Sequence, residues 1–263
     1  MPFTKANRIN LYYEFHGEGE PLILIGGLAA DHLGWESVLP ELSKSFRVII
    51  FDNRGAGQSD ITAAPYTTKL LADDVVALLD NLNVARAHVL GHSMGGAIAQ
   101  QMGLHYPDKI HRLIIASSFA RRTPVTALAI NITQKLMEHK MPLSLIAEYN
   151  LPWLYSNHFL SDEKKQAAAI ARMIDKPYPI TSQGYQNQAH ACLGHNTDGA
   201  LNQIKTPTLV LAGEEDILVL PEVSKQMAVA MPNAIFKTIA RTAHLAQVEK
   251  PREFTQVIRD FLR

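Results

Sequence analysis

Ser93 is the residue whose surroundings ask for chemistry. It stands in Gly91-His92-Ser93-Met94-Gly95-Gly96, which matches the spacing G-x-S-x-G. A short apolar run, Ala87 to Leu90, precedes it, and a run compatible with a helix, Ala97 to Tyr106, follows. A serine on a tight strand-to-helix turn has its hydroxyl pushed outward, and the turn leaves no room for Cβ atoms at the flanking glycines. The Met94 N–H then falls at a helix N-terminus, where it can donate to a developing oxyanion. The bland alternative is a small-residue junction without chemistry, and it gives no reason for the strand-turn-helix context. A phosphate-binding loop is a poor fit, because neither G-x-G-x-x-G nor a following Lys-Ser/Thr pair is present there.

A serine hydroxyl is a weak nucleophile at neutral pH and needs a base, usually His, oriented by a carboxylate. On a strand-turn-helix elbow the chain order is Ser, then the acid, then His. Leu209-Val210-Leu211-Ala212-Gly213-Glu214-Glu215-Asp216 offers three acids after an apolar strand. Asp216 is selected, since Gly213 ends the strand and the loop then turns back over the sheet edge; Glu214 and Glu215 read as loop charges. His244, in Ala240-Arg241-Thr242-Ala243-His244-Leu245, follows the next apolar run, Ile235 to Ile239. Between Asp216 and His244 there is room for one helix and one strand. The chain has 11 His. His92 belongs to the elbow, and His105, His111, His190 and His195 read as surface or ordinary core, with His190 placed where an insert would roof the site.

These residues need a scaffold. Ile9 to Phe15, Leu22 to Ile25, Val48 to Phe51, Ala87 to Leu90, Ile110 to Ala116, Leu209 to Ala212 and Ile235 to Ile239 read as strands. Several are apolar throughout, so both faces must be buried, as in a parallel sheet with helices on each side. Trp35 to Ser43, Thr67 to Leu82, Ala97 to Tyr106, Pro221 to Met231 and Pro251 to Leu262 read as helices between and after them. From Phe119 to about Lys205 no strand is convincing. Leu128 to Glu138, Leu143 to Tyr149, Asp162 to Ile174 and Thr181 to Cys192 look helical, punctuated by Pro124, Pro142, Pro152, Pro177 and Pro179. An all-helical insert in an α/β chain reads as a lid. The expected division is a core of residues 1–118 and 205–263 with a helical cap of 119–204.

Composition narrows the partners. With 25 basic and 25 acidic residues among 263, nothing points to nucleic acid or an anionic membrane. A single cysteine, Cys192, rules out an intrachain disulfide and a Cys-rich zinc site. No His spacing suggests a metal, so neither metal nor cofactor is expected. The first residues, Met1-Pro2-Phe3-Thr4-Lys5, carry no apolar run of signal-peptide type, and no stretch approaches the ~20 apolar residues of a membrane span. The expectation is a soluble, cytoplasmic protein; its oligomeric state is not readable.

The chain resembles the α/β-hydrolases. Gly26-Gly27-Leu28, then Asp52-Asn53-Arg54-Gly55-Ala56-Gly57-Gln58-Ser59, then the Ser93 block, then Gly213 with Asp216 and His244 carry the resemblance, with Glu249-Lys250-Pro251 and Phe254 fitting the last helix. It covers residues 8–118 and 205–263. It implies about eight mostly parallel strands, an antiparallel edge strand near the N-terminus, and a cap inserted after the sixth strand. It implies Leu28 and Met94 as backbone oxyanion donors, and Asp52 and Arg54 as scaffold. One departure is Gly26-Gly27, where most relatives carry His-Gly.

Ser93 sets the chain apart from dehalogenases and epoxide hydrolases, whose members carry Asp there. Leu245 fits poorly with carbon–carbon hydrolases, and no Trp is obvious beside the oxyanion donor, as haloperoxidase-like members have. Leu28-Ala29-Ala30-Asp31 with Trp35, Gly184-Tyr185-Gln186 and Ala243-His244-Leu245 resemble 3-oxoadipate enol-lactonase-like hydrolases. Leu151-Pro152-Trp153-Leu154-Tyr155-Ser156 resembles a cap segment of small esterases and aminoacrylate-hydrolase-like proteins. The expected function is a serine esterase or lactonase acting on a small-molecule ester or lactone through Ser93, Asp216 and His244, with Trp153 and Tyr185 as candidate substrate contacts. Two other readings stand beside it. One is a ligand sensor on the same scaffold. The other is a methyl-ester esterase on a carrier-bound acyl chain, docked by Arg121, Arg122, Lys164, Lys165 and Arg172; the bland reading of those charges is a solvated face.

Overall fold

A computed structural model describes residues 2–63 and 65–263; Met1, where the N-terminal reading begins, and Ala64 lie outside them. Eight strands form one sheet: β1 (Phe3–Ala6), β2 (Ile9–His16), β3 (Glu20–Ile25), β4 (Phe46–Phe51), β5 (Ala87–His92), β6 (Ile110–Ala116), β7 (Thr208–Gly213) and β8 (Ala234–Ile239). Their spatial order is β1-β2-β4-β3-β5-β6-β7-β8. β2 is antiparallel to both β1 and β4, and every other pair is parallel.

The helices are α1 (Leu39–Leu42), α2 (Thr68–Asn81), α3 (Met94–His105), α4 (Pro124–Glu138), α5 (Leu143–Leu154), α6 (Asn157–Leu160), α7 (Glu163–Ile174), α8 (Ser182–Gly194), α9 (Pro221–Ala230), α10 (Ala246–Glu249) and α11 (Pro251–Leu262). Helices α4 to α8 all lie between β6 and β7, so the stretch after the sixth strand is helical as expected. An isolated bridge, Arg121 to Asn196, closes its base.

The apolar strands bury both faces, and their period of two sorts the residues into two cores. Ile23, Ile25, Ile49, Phe51, Val89 and Ile115 meet α2, α3 and α9 on one side. Leu22, Leu24, Val48, Ile50, Leu90, Ile114, Leu209 and Leu211 meet Trp35, Leu42 and α11 on the other. Helix α11 buries Phe254, Ile258 and Leu262, one residue per turn.

Three elements differ from the sequence reading. β1 is an additional edge strand, mostly exposed, without the apolar run that marks its neighbours. The helix expected over Trp35 to Ser43 is broken into a 3₁₀ turn, His32–Trp35, and α1, because Pro40 has no N–H to continue a helix through it. The helix expected to stop at Tyr149 continues through Pro152 to Leu154. Glu148, whose carbonyl loses its partner there, is exposed, so water can take its place.

Candidate active site

Ser93 follows the last residue of β5 and precedes the first of α3. Its backbone has φ +54° and ψ −117°, a conformation that costs a residue with a Cβ about 1–3 kcal/mol. The surroundings hold it there. Its N–H donates to Ala116 O at 2.9 Å, and its carbonyl accepts from Gly96 N at 2.9 Å and from Ser118 Oγ at 2.7 Å. The glycines are obligatory for packing reasons. A Cβ at Gly91 would lie 2.1 Å from Gly95 O, and one at Gly95 would lie 2.0 Å from Ile25 O.

Asp216 lies in the loop after β7 and is fully buried. Its Oδ1 accepts from the N–H groups of Leu218 and Val219, each at 2.9 Å, which fixes the carboxylate plane. Its Oδ2 lies 2.8 Å from His244 Nδ1. With the carboxylate ionised, Nδ1 is the donor, so the lone pair of the neutral imidazole is on Nε2. Glu214 and Glu215, the rejected acids, serve the loops: Glu214 accepts from Arg241 N, and Glu215 accepts from Asn157 N at 3.2 Å.

His92 joins the two halves. Its Nε2 lies 2.8 Å from the His244 carbonyl, an atom that can only accept, so Nε2 carries the proton. The two rings sit 4.9 Å apart, and Trp35 packs edge-on against His92 from the other side. Burial, with His244 beside it, pushes the His92 pKa down to about 3, so it stays neutral. The residue adjacent to Ser93 thus fixes the backbone of His244. Sequence reading gave His92 no role of its own.

Leu28 follows β3 in a turn that Ala30 N closes on Gly27 O at 3.2 Å. A Cβ on Gly27 would lie 3.2 Å from Ser93 Cβ, so this loop abuts the elbow. Among the described residues no protein group accepts from the N–H of Leu28 or of Met94. The missing histidine at position 26 has a local answer: Asn53 Nδ2 donates to Gly26 O at 3.0 Å and pins the loop from the neighbouring turn. That turn is scaffold, as expected. Asp52 accepts from His32 and Gln58, and Arg54 makes a two-pronged pair with Asp74 at 2.8 and 2.6 Å.

The helical insert grips the loops that carry His244 and Asp216. Leu245 N donates to Leu154 O at 3.0 Å. The Glu249 carboxylate accepts from Ser156 Oγ at 2.5 Å and from Ala243 N at 2.8 Å. Burial raises the Glu249 pKa despite these donors. Other expected residues have these surroundings. Tyr185 is buried where α8 joins the sheet core, with its hydroxyl donating to Ile130 O at 3.3 Å. Trp153 is half-buried beside Tyr149. His190 is exposed and bonded to Tyr66 O at 3.0 Å. Of the basic residues, Arg121 pairs with Asp198, Lys165 with Asp162, and Arg172 with Glu36. Among the described residues no three His, Cys, Asp or Glu cluster as a metal site, and no helix is long and apolar enough to cross a membrane.

A sheet of this order, with an elbow serine, a buried Asp–His pair and a helical insert after β6, defines a class of protein. Residues 20–251 match the family described as alpha/beta hydrolase fold, and the chain belongs to that family. It is a hydrolase of the α/β fold. A relative from Pseudomonas syringae pv. syringae, named as a candidate carbamate hydrolase, RutD, is 27% identical over 263 residues, covering 96% of this chain and 98% of its own. The enol-lactonase from Burkholderia xenovorans LB400 superimposes with a TM-score of 0.88 at 26% identity, covering 99% of each chain. A thermophilic esterase from Thermogutta terrifontis, solved with malate bound, gives 0.87 at 28% identity, covering 99% of this chain and 97% of that one.

Proposed function

We propose that the protein cleaves a carboxylic ester or lactone of a small molecule through an acyl-enzyme on Ser93. The observation that carries this reading is the 2.8 Å bond between Asp216 and His244, set beside the strained Ser93 turn by the contact from His92. Ser93 Oγ attacks the acyl carbon, and His244 Nε2 takes its proton. Asp216 holds the imidazole and stabilises the imidazolium as it forms. The N–H groups of Leu28 and Met94 receive the oxyanion. His244 returns the proton to the leaving group, and water then repeats the sequence in reverse to release the acid. Residues 119–204 act as a cap over a core of 1–118 and 205–263. Trp153 and Tyr185 are proposed to bound the acyl pocket, with Tyr185 acting through the packing of α8.

The likeness to an enol-lactonase and an esterase supports this substrate class. The relative named for carbamates brings aryl carbamates into the assay, because the same machinery meets the same kind of carbonyl. In the carrier-docking reading, Arg121, Lys165 and Arg172 already face acidic neighbours in exposed pairs, which gives that reading less support. The test is hydrolysis of short p-nitrophenyl esters, lactones and aryl carbamates by wild type and Ser93→Ala. Multiple turnover abolished by Ser93→Ala is expected. Equal rates would sink the mechanism, and binding without turnover would favour the sensor.

A further inference from the structure

Ala29, the residue after Leu28, has φ +63°, in the left-handed region that side chains with a Cβ avoid. In the Gly27–Ala30 turn this is the third position, which ordinarily takes Gly when φ is positive. Something outside the turn must therefore select this form. The contacts come from the helical insert. Gln188 on α8, with no exposure to solvent, accepts from Ala29 N–H through Oε1 at 3.0 Å and donates through Nε2 to Arg54 O at 2.9 Å. Its amide orientation is unambiguous, since Ala29 N–H can only donate and the Arg54 carbonyl can only accept. Lys176, between α7 and α8, donates through Nζ to Ala29 O at 3.2 Å and lies 3.8 Å from Asp31 Oδ2. Both peptide groups of Ala29 are thus held by one helical segment, while Asn53 holds Gly26 from the opposite side of the loop.

We propose that Gln188, assisted by Lys176, is a positioning residue for the oxyanion hole. Turning over the Leu28–Ala29 peptide would relieve the backbone of Ala29. It would also present the Leu28 carbonyl to Gln188 Oε1, oxygen against oxygen, and strip a buried amide of its partner. Gln188 therefore fixes the Leu28–Ala29 peptide and, through the backbone of Leu28, the shape of the loop whose Gly27 abuts Ser93 and whose Leu28 N–H is the proposed donor. Removing the bond should damage the step in which negative charge grows on the substrate oxygen and leave ground-state binding nearly untouched. This assignment rests on the acyl-enzyme reading above.

The experiment uses Gln188→Met, which keeps length and loses both bonds, and Lys176→Met with Lys176→Arg as the conservative return. Four quantities are measured on active-site-titrated protein: kcat and KM for p-nitrophenyl acetate, the inhibition constant of phenylboronic acid, and the melting temperature. The boronic acid forms a tetrahedral adduct on Ser93 with an oxygen where the oxyanion would lie. Gln188→Met should lower kcat roughly 10–100-fold, as displacement of about an ångström does, with KM within about twofold. Boronic acid inhibition should weaken by a similar factor. Lys176→Met should move the same quantities by less, and Lys176→Arg should restore them. If Gln188→Met does not fold, the half-exposed Lys176 decides alone. Unchanged kcat in the folded variants overturns the proposal, as does a fall in kcat with phenylboronic acid inhibition unaltered. Ser93→Ala run in parallel separates the two levels. If it retains activity, the acyl-enzyme reading fails; if it is inactive while Gln188→Met is wild type, only the positioning role fails.

Discussion

Ser93, the proposed nucleophile, and its proposed partners are held in opposite ways. Ser93 is fixed by what surrounds it at the head of β5: Ala116 on the adjacent strand, Ser118 just beyond it, and glycines at 91 and 95 that let the backbones close. The Gly27–Ala30 loop, the proposed oxyanion loop, and the His244 loop are fixed from outside the sheet, by Gln188, Lys176, Leu154 and Ser156 of the helical insert. The first arrangement is local and sterically exclusive. The second is made of hydrogen bonds between segments far apart in the chain. On the proposed mechanism, a site built this way has a rigid attacking atom and a receiving frame that depends on how the insert sits.

The largest effect should come from the local side. Ser93→Ala should lower kcat by a factor on the order of 10⁶, by analogy with another serine triad. Its melting temperature should stay near wild type, because the elbow's backbone bonds do not involve Oγ. A large drop in melting temperature would mean the elbow is a structural device. Gly95→Ala should act the other way round. With a Cβ 2.0 Å from Ile25 O and backbone on both sides, it should cost about 3 kcal/mol or more in chemical denaturation. A stability within 1 kcal/mol of wild type, to order of magnitude, would break the claim of steric exclusivity.

Acid should test one buried histidine on each side. Burial pushes His92 down to about 3 and His195, beside Thr68 and Gln100, down to about 4, from an ordinary 6.5. Each binds its proton more weakly folded than unfolded. Below pH 6.5 the unfolded chain therefore takes up the proton first, and stability falls as pH drops until the folded values are reached. The slope per residue should approach about 1.4 kcal/mol per pH unit between pH 6 and 4.5. His195→Gln should remove its share of that slope in denaturation curves. A slope equal to wild type would show that His195 is not buried neutral.

On the tethered side, Ser156→Ala removes one donor from the half-buried Glu249 carboxylate and should cost about 1 kcal/mol. It should also lower kcat by several-fold, since the same carboxylate holds Ala243 N beside His244. A stability loss with kcat unchanged would separate insert docking from the chemistry. The smallest effect is at the surface. Arg121→Ala breaks an exposed pair with Asp198 and should shift stability by less than about 0.5 kcal/mol, with ester hydrolysis unaltered.

The same division explains what could be read in advance. Gly91, Gly95 and Ser93 announce themselves because a tight turn makes its demands within five residues. The apolar strands did so because burial on two faces leaves a continuous signature, and Asp216 and His244 followed from strand ends in the right order. Phe3–Ala6 gave no such sign, being an exposed edge. Pro40 broke a helix that the periodicity favoured, while Pro152 did not break another, because solvent could serve the freed carbonyl. Gln188, Lys176 and Glu249 were out of reach for a different reason. Their partners lie 159, 147 and 93 residues away, and a lone Gln, Lys or Glu on a helical stretch has no pattern that reveals such a distant bond. His92 sat inside the motif itself, yet its bond spans 152 residues.

The contacts from Leu154, Ser156, Lys176 and Gln188 have a consequence for how the enzyme wears out. Loosening of α5 to α7 leaves both halves of the sheet core packed, because that core is filled by α2, α3, α9 and α11 together with Ala189, Ala191 and Cys192 of α8. It nevertheless frees Ala29 from Lys176 and the His244 loop from Leu154 and Ser156 together. Heating or a single protease nick in the insert should thus silence the protein while most of its secondary structure persists, and removing the stress before the sheet melts should bring activity back.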